Sequence, residues 1–229
     1  LQNNMTTKQQ IYLSVLSGIL LIPAWYTWGS GLFLLFALVP LFFVEESLVK
    51  TKHKSLRFFW LPFLSFAIFN LGTIWWVKNA SFPGMLVAVV VNTLLMSLAF
   101  WFFTISHRKL GDGFGYFSLL FYWIAYEFLY LNGEISFTWL NLGNGFANDV
   151  KLIQWYEYSG VLGGTAWILI INMLLFKIIQ AFVLLKKIMP AILETIIFLI
   201  LLIFPITFSL ATYYSYEETK DPYEIVVLQ

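Results

Sequence analysis

The sequence predicts an all-α integral membrane protein: a bundle of about seven transmembrane helices with one long ordered loop. Three observations support this fold class. Of the 229 residues, 60% are hydrophobic. Only 11% are charged, whereas soluble domains carry about 25% charged residues. The apolar residues also gather in long runs, several of which reach the roughly 20 residues that a helix needs to cross a bilayer. Together these observations argue against a water-soluble globular protein.

Seven apolar runs are candidate transmembrane helices. They cover residues 11–28, 32–44, 58–77, 85–105, 116–131, 161–185 and 191–211. We therefore expect residues 1–211 to form one transmembrane domain. The second run is short for a full crossing, so a re-entrant hairpin made of the first two runs is the alternative.

The basic residues predict how the bundle is oriented. They fall in alternate gaps: Lys8 before the first run, Lys50, Lys52, Lys54 and Arg57 after the second, Arg108 and Lys109 after the fourth, and Lys186 and Lys187 after the sixth. Cytoplasmic loops of membrane proteins carry an excess of Lys and Arg. The N-terminus is thus expected in the cytoplasm and the C-terminal tail on the opposite, periplasmic side.

The longest connection, residues 132–160, is expected to be an ordered loop on the outer membrane surface. Connections of this length are usually functional or disordered. Disordered segments are poor in aromatic residues, but this one is rich in them, with Phe137, Trp139, Phe146, Trp155, Tyr156 and Tyr158. We expect a short interfacial helix near residues 150–158.

Polar residues inside the apolar runs are candidates for either packing or function. Asn70, Asn92 and Asn172 are expected to form hydrogen bonds between helices. Glu127 is the best intramembrane candidate for function, because an ionisable group is costly to bury in a membrane unless it is paired or hydrated.

The composition excludes several other kinds of site. The chain has no cysteine, which removes thiolate ligands and a cysteine nucleophile. His53 and His107 each stand alone in a basic loop, so we expect no metal and no cofactor. No long basic stripe is present, so no nucleic acid is expected as a partner.

The last residues, 212–229, change character. A polar, acidic stretch leads to the apolar segment 224–229 (EIVVLQ), which has the composition of a buried strand. One isolated strand is not stable in water. We therefore expect this segment to be a linker and the first strand of a further α/β-type domain, which would make the chain a fragment.

Several segments resemble the apolipoprotein N-acyltransferase family. The strongest likeness lies in residues 136–146 (SFTWLNLGNGF) and 152–163 (LIQWYEYSGVLG). Residues 73–81 (TIWWVKNAS), 92–101 (NTLLMSLAFW) and 37–41 (ALVPL) also resemble it, and 221–229 (DPYEIVVLQ) is similar to the entry into the family's nitrilase-like domain. Two positions depart from the family pattern: Thr138 stands where a Pro is usual, and Ala24 follows Pro23 where a second Pro is usual.

The resemblance implies an enzyme of the bacterial inner membrane, acting as a monomer. Family members transfer an acyl chain from a membrane phospholipid to the N-terminal amine of a diacylglyceryl apolipoprotein, so these two molecules and the lipid bilayer are the expected partners. The catalytic Glu, Lys and Cys of the family lie in the nitrilase-like domain, which follows Gln229 in this numbering. No catalytic residue is therefore expected in this chain, which would supply the membrane platform and a substrate groove.

Ten residues are candidates to line that groove: Trp75, Trp76, Asn79, Glu127, Trp139, Asn141, Asn144, Gln154, Trp155 and Glu157. For most of them, anchoring at the membrane interface is an equally good interpretation. Two other functions stay open at this point. A small seven-helix transporter or channel would need internal repeats and midplane charges, and a scaffold would use the loop only to dock a partner.

Overall fold

The computed structural model describes residues 5–50, 56–134, 137–185 and 188–217, and all regular structure in these residues is helical. The α-helices are α1 (Thr7–Leu21), α2 (Leu34–Ala37), α3 (Val39–Val49), α4 (Arg57–Ile74), α5 (Phe82–Leu110), α6 (Asp112–Leu131), α7 (Tyr156–Ile179) and α8 (Ile188–Ser215). Short 3-10 turns connect several of them, and a π-helical turn (Gln180–Leu185) follows α7. The predicted all-α membrane bundle is confirmed.

Six helical stretches in the described residues are long and apolar enough to span a membrane: Gly31–Val49, Arg57–Asn79, Phe82–Leu110, Asp112–Leu131, Tyr156–Phe182 and Ala191–Ser215. The protein is therefore a multi-pass membrane protein. The count is one lower than the seven predicted, because the first run is not among these six stretches. Helix α1 ends at Leu21 and continues only as the 3-10 turn Ile22–Trp25.

The chain turns back sharply after that 3-10 turn. Tyr26 N–H donates to the Pro23 carbonyl at 3.1 Å, and Gly29 N–H donates to the Tyr26 carbonyl at 2.9 Å. A Cβ atom at position 29 would lie 1.6 Å from the Pro23 oxygen, so this turn requires glycine. The predicted run 11–28 was too long because its last residues form the turn.

The second predicted run, 32–44, was too short. The structure extends this helical stretch to Val49, so that it includes Glu45 and Glu46. The exposed fractions of these two residues are only 2% and 5%. The charged residues do not end the helix, because both carboxylates are buried against other helices. At 1.5 Å per residue, the 19 residues of Gly31–Val49 span about 28 Å, which is close to the bilayer thickness. A full crossing therefore fits this stretch without a re-entrant hairpin.

A break at Leu38 separates α2 from α3, and Asn172 of α7 occupies it. Its Oδ1 accepts a hydrogen bond from Leu38 N–H at 2.9 Å, and its Nδ2 donates to the Leu34 carbonyl at 2.6 Å. These two backbone groups would bond to each other in a regular helix. The Asn172 side chain thus replaces one backbone hydrogen bond of the helix, and its predicted interhelical role is confirmed.

The other two asparagines behave differently. Asn70 donates to the Phe66 carbonyl of its own helix at 2.8 Å and also to Met96 Sδ on α5 at 3.7 Å, so its predicted interhelical hydrogen bond is confirmed. Asn92 is fully buried, and neither atom of its amide has a hydrogen-bond partner among the described residues. The predicted interhelical hydrogen bond is therefore wrong for Asn92, because burial in this bundle does not bring a complementary group within reach.

The spanning helices run alternately up and down, so their ends form two faces. We call the end that carries residues 137–155 the loop end, and the end that carries Val49, Arg57 and Leu110 the opposite end. Rings that are fully buried fill the core between α3, α4, α5, α6 and α7: Phe42, Phe66, Phe100, Phe103, Trp123 and Phe176. Helix α8 packs mainly on α7 at the edge and leaves large apolar side chains exposed, including Ile200 and Phe204.

Helix α8 continues to Ser215, four residues past the predicted end of the last run. The predicted strand 224–229 and His53 lie outside the described residues. The proposed boundary between residues 1–211 and 212–229 therefore stays a prediction.

Candidate functional site: the loop end of the bundle

Residues 137–155 fold into a cap that plugs the loop end. They form 3-10 turns at Thr138–Leu140, Leu142–Phe146 and Val150–Leu152. Leu140, Leu142 and Phe146 are buried, and the Phe146 ring lies 5.3 Å from the Trp167 ring of α7. The ordered loop is thus confirmed. In place of the predicted short helix at 150–158, the structure has a 3-10 turn followed by the first residues of α7.

Glu127 holds the cap to the bundle. Its Oε1 accepts hydrogen bonds from Leu142 N–H of the cap at 2.9 Å and from Trp123 Nε1 at 3.0 Å. Its Oε2 accepts from the Thr165 hydroxyl of α7 at 2.6 Å. The side chain is fully buried, and all three donors are protein groups. The geometry assigns this carboxylate to positioning the cap, with no surface for a substrate to contact.

The approach of the cap to α7 is very close. Thr165 Oγ1 also accepts from Gly143 N–H at 3.0 Å, and the Tyr156 hydroxyl donates to the Gly143 carbonyl at 3.2 Å. A Cβ atom at position 143 would lie 2.1 Å from the Val161 carbonyl oxygen. Glycine is therefore required at this position of the LGNG segment.

Asp149 joins the cap to the first hairpin, a role that the sequence did not indicate. Its Oδ2 accepts from Ser30 Oγ at 2.9 Å and from Gly31 N–H at 2.6 Å, at the start of the second helical stretch. Trp25 Nε1 adds a hydrogen bond to the Trp139 carbonyl at 3.0 Å. The signal that could have revealed this contact is Ser30 before a helix start, since a helix N-terminus attracts a carboxylate.

Three of the predicted groove residues form an exposed indole surface, which we call the tryptophan platform: Trp75, Trp76 and Trp139. Their exposed fractions are 46%, 43% and 59%. The Trp76 and Trp139 rings lie 5.8 Å apart, and Trp75 Nε1 donates to the Tyr26 hydroxyl at 3.2 Å. Lys78 Nζ lies 5.0 Å from the centre of the Trp75 ring. Indoles held in this way suit the headgroup region of a membrane, where one edge is apolar and the other polar.

The remaining predicted groove residues fall into two sets. Asn79 is exposed beside the platform, while Asn141 is buried and Asn144 donates to the Thr138 carbonyl at 2.9 Å inside the cap. Gln154, Trp155 and Glu157 lie at the start of α7, where Trp155 N–H donates to Ser209 Oγ of α8 at 3.4 Å. Among the described residues, no hydrogen bond or ring contact joins these three to the platform. The structure therefore gathers only part of the predicted set into one surface.

An apolar groove of about 410 Å³ lies between α5 and α6. Its lining is Leu95, Leu98, Ala99, Phe102, Tyr122, Ala125, Tyr126, Leu129 and Tyr130. Leu129 and Tyr130 are the lining residues of α6 nearest the loop end, and Leu129 is 69% exposed on the outer surface of the bundle. A groove with this lining suits an acyl chain that enters sideways from the bilayer.

At the opposite end, the structure corrects the interpretation of His107. The sequence placed this residue alone in a basic loop, but it lies in the last turn of α5 with 1% exposure. Its Nδ1 lies 2.8 Å from Glu45 Oε1, and its Nε2 lies 3.1 Å from Asp112 Oδ1. Glu45 lies 62 residues from His107 in the chain and Asp112 lies 5 residues from it. The contact with Glu45 could therefore not be inferred from the spacing of residues in the sequence.

Comparison with known proteins gives a family match that includes the residues of the cap and the tryptophan platform. The family model of the apolipoprotein N-acyltransferase N-terminal domain matches residues 17–174, which include both features. The chain is also similar to the apolipoprotein N-acyltransferase of Chlorobaculum tepidum, with 30% identity over 172 residues. That match covers 73% of this chain and 31% of the relative, so the chain spans about a third of the relative's length. No solved structure gives a significant match. Because the family model covers well over half of its residues, the chain belongs to the apolipoprotein N-acyltransferase N-terminal domain family.

Proposed function

We propose that this chain is the membrane part of an enzyme that transfers an acyl chain from a phospholipid to the N-terminal amine of a diacylglyceryl apolipoprotein. The observation that carries the proposal is the family match, which runs through the cap and the tryptophan platform. The chain has no cysteine, so the acyl-carrying thiol that the family resemblance implies would belong to a part of the protein outside this sequence. The 229 residues alone are expected to be inactive.

The loop end is the proposed place where both lipid substrates meet the catalytic part. Both substrates hold their acyl tails in the bilayer and their reacting atoms at headgroup depth. Drawing a tail into water costs about 0.8 kcal/mol per CH₂ group, so the chemistry must come down to the membrane surface. The α5–α6 groove supports a tail beside the cap, while Trp76, Trp139 and Asn79 border the headgroup region.

We place the loop end in the periplasm of a bacterial inner membrane, with the N-terminus in the cytoplasm. The opposite end carries Lys50, Arg57, Arg108 and Lys109, while the loop end carries more acidic than basic residues. Since these 229 residues contain no cysteine, single cysteines introduced at Asp149 and at Lys109 of this chain report each side without background. A membrane-impermeant maleimide should label position 149 in intact spheroplasts and position 109 only after lysis; the reverse pattern refutes the orientation.

The catalytic proposal is tested with the full reading frame in cells depleted of their own N-acyltransferase. Mass spectrometry of a lipoprotein's N-terminal peptide measures N-acylation. We expect the wild type to restore it, and Trp76→Ala with Trp139→Ala to lower turnover about tenfold through loss of substrate positioning. Trp60→Ala is the matched control, because Trp60 is an exposed indole (55%) at the opposite end. Failure of the wild-type frame to N-acylate any lipoprotein would contradict the proposed function.

A further inference from the structure

We propose that Glu45, Glu46 and His107 form a binding site for one divalent transition-metal ion at the opposite end of the bundle. Each side chain offers a ligand atom, and these three atoms lie within 4.8 Å of one another. The residues are 2%, 5% and 1% exposed. They come from two elements, α3 and α5, so an ion bound here would link them. The site is far from the loop end and does not depend on the proposed acyl transfer.

The orientation of His107 leaves one ring nitrogen available for an ion. Its Nε2 faces Asp112 Oδ1 at 3.1 Å, and an exposed carboxylate only accepts hydrogen bonds, so Nε2 carries the hydrogen. In the neutral ring, Nδ1 then presents its lone pair to Glu45 Oε1, which lies 2.8 Å away. Two acceptors at this distance repel each other unless a positive charge lies with them. A histidine whose second nitrogen donates to a carboxylate is also the usual arrangement around protein-bound zinc.

The second, independent observation concerns the other oxygen of Glu45. Oε2 is buried and has no hydrogen-bond partner in the part of the chain that the structure describes. Because both oxygens belong to one carboxylate, this unpartnered atom lies beside the same histidine. A buried carboxylate oxygen with no donor is costly, and a metal ion would satisfy it directly. Glu127, the comparable buried carboxylate at the loop end, has a donor on each oxygen.

Glu46 supplies the third ligand and retains a free position. Its Oε1 accepts from Gln180 Nε2 at 3.2 Å and pairs with Lys50 Nζ. Its Oε2 has only the Tyr116 hydroxyl, at 3.4 Å, which is long for a hydrogen bond to a carboxylate. Among the described residues, this oxygen therefore has no strong hydrogen-bond partner that an ion would have to displace.

The donor set indicates the class of ion. One imidazole nitrogen with two carboxylates suits Zn²⁺ and neighbouring first-row ions, whereas Ca²⁺ and Mg²⁺ prefer oxygen ligands alone. Two ligands in adjacent positions of a tetrahedral zinc site, each about 2.0–2.2 Å from the ion, lie about 3.3–3.6 Å apart. The distance of 2.8 Å between His107 Nδ1 and Glu45 Oε1 is shorter than this, so the two side chains would move apart by about half an ångström on coordination.

Co²⁺ titration of the purified, metal-stripped protein in detergent tests the site, because Co²⁺ substitutes for Zn²⁺ and absorbs visible light when bound. We expect one equivalent of Co²⁺ to bind with new visible bands, and Zn²⁺ to abolish them. Glu45→Gln and His107→Gln should each weaken binding at least tenfold. Glu194→Gln on α8 is the matched control and should bind as the parent does.

Asp112→Asn tests the site without disturbing the core, because the Asp112 side chain is 83% exposed. It should weaken Co²⁺ binding about tenfold, since a partner that orients a metal-binding histidine contributes on the order of 10–100-fold in affinity. Circular dichroism checks that each variant is folded. If a folded parent shows no saturable Co²⁺ bands, or if all variants bind equally well, the proposal is wrong and a shared proton joins His107 to Glu45.

Discussion

Two buried carboxylates, one near each end of the bundle, are held in opposite ways. Glu127 at the loop end receives three hydrogen bonds, from an indole, a backbone amide and a hydroxyl. Glu45 at the opposite end contacts one histidine nitrogen through one oxygen, and its other oxygen has no partner among the described residues. Protein donors satisfy both oxygens at the first site, whereas in the described part of the chain they leave one oxygen unsatisfied at the second. Burial alone therefore does not identify a functional carboxylate in this bundle; the donors around it do.

Removing the Glu127 carboxylate should have the largest effect. Glu127→Leu leaves Leu142 N–H, Trp123 Nε1 and the Thr165 hydroxyl buried without an acceptor. We expect a loss of about 4 kcal/mol in the free energy of unfolding, since each unsatisfied buried group costs about 1–3 kcal/mol. SDS-induced unfolding measures this loss. Trypsin should also cleave sooner at Lys151, because the cap would detach; equal cleavage rates would show that Glu127 does not hold the cap.

Neutral replacement separates the two carboxylates. Both oxygens of Glu127 accept hydrogen bonds, so Glu127→Gln places an amide NH₂ group against a donor. We expect a loss of about 2 kcal/mol in the free energy of unfolding. Glu45→Gln should cost at most about 1 kcal/mol in metal-free protein, because Oε2 has no donor among the described residues to lose and the new amide NH₂ can donate to His107 Nδ1. Unfolding of both variants in the presence of a chelator provides the measurement. Equal losses at the two sites would remove the distinction drawn between them.

The hydroxyl that completes the Glu127 site has a smaller effect. Thr165→Val removes the donor to Glu127 Oε2 and the acceptor of Gly143 N–H at nearly constant volume. We expect a loss of about 1–2 kcal/mol, measured by SDS-induced unfolding. Thr212→Val on α8 is the matched control, because that hydroxyl bonds its own helix at an exposed position and should change stability by less than about 0.5 kcal/mol.

The smallest effect is expected at the exposed partner of His107. Asp112→Asn should change the free energy of unfolding of metal-free protein by less than about 0.5 kcal/mol, because the side chain is 83% exposed and water replaces its bond. Thermal unfolding in detergent with a chelator measures this. A loss above about 2 kcal/mol would mean that the histidine cluster stabilises the bundle without any metal. Its role would then resemble that of the Glu127 site.

Hydropathy by itself determined most of the architecture. Long apolar runs need internal hydrogen bonding in a bilayer, so the helical class and the positions of six spanning helices followed from the sequence. The ordered state of residues 137–155 followed too, because a connection this rich in aromatic residues does not have the composition of a disordered segment. The same residues, with the LGNG segment, carried the family resemblance that the comparison confirmed.

Only the tertiary structure decided what the polar residues do. Glu45 and Glu46 marked the end of a helix in the sequence, yet α3 continues through both because His107 and Tyr116, more than 60 residues away, meet them there. Glu127 was a candidate for substrate contact, and the structure shows it accepting hydrogen bonds from three protein donors. Asn172 and Asn92 look alike in the sequence, but the Asn172 amide replaces a helix hydrogen bond, while the Asn92 amide has no partner among the described residues. Hydropathy is a property of each residue, whereas the satisfaction of a buried polar atom depends on partners that only folding brings near.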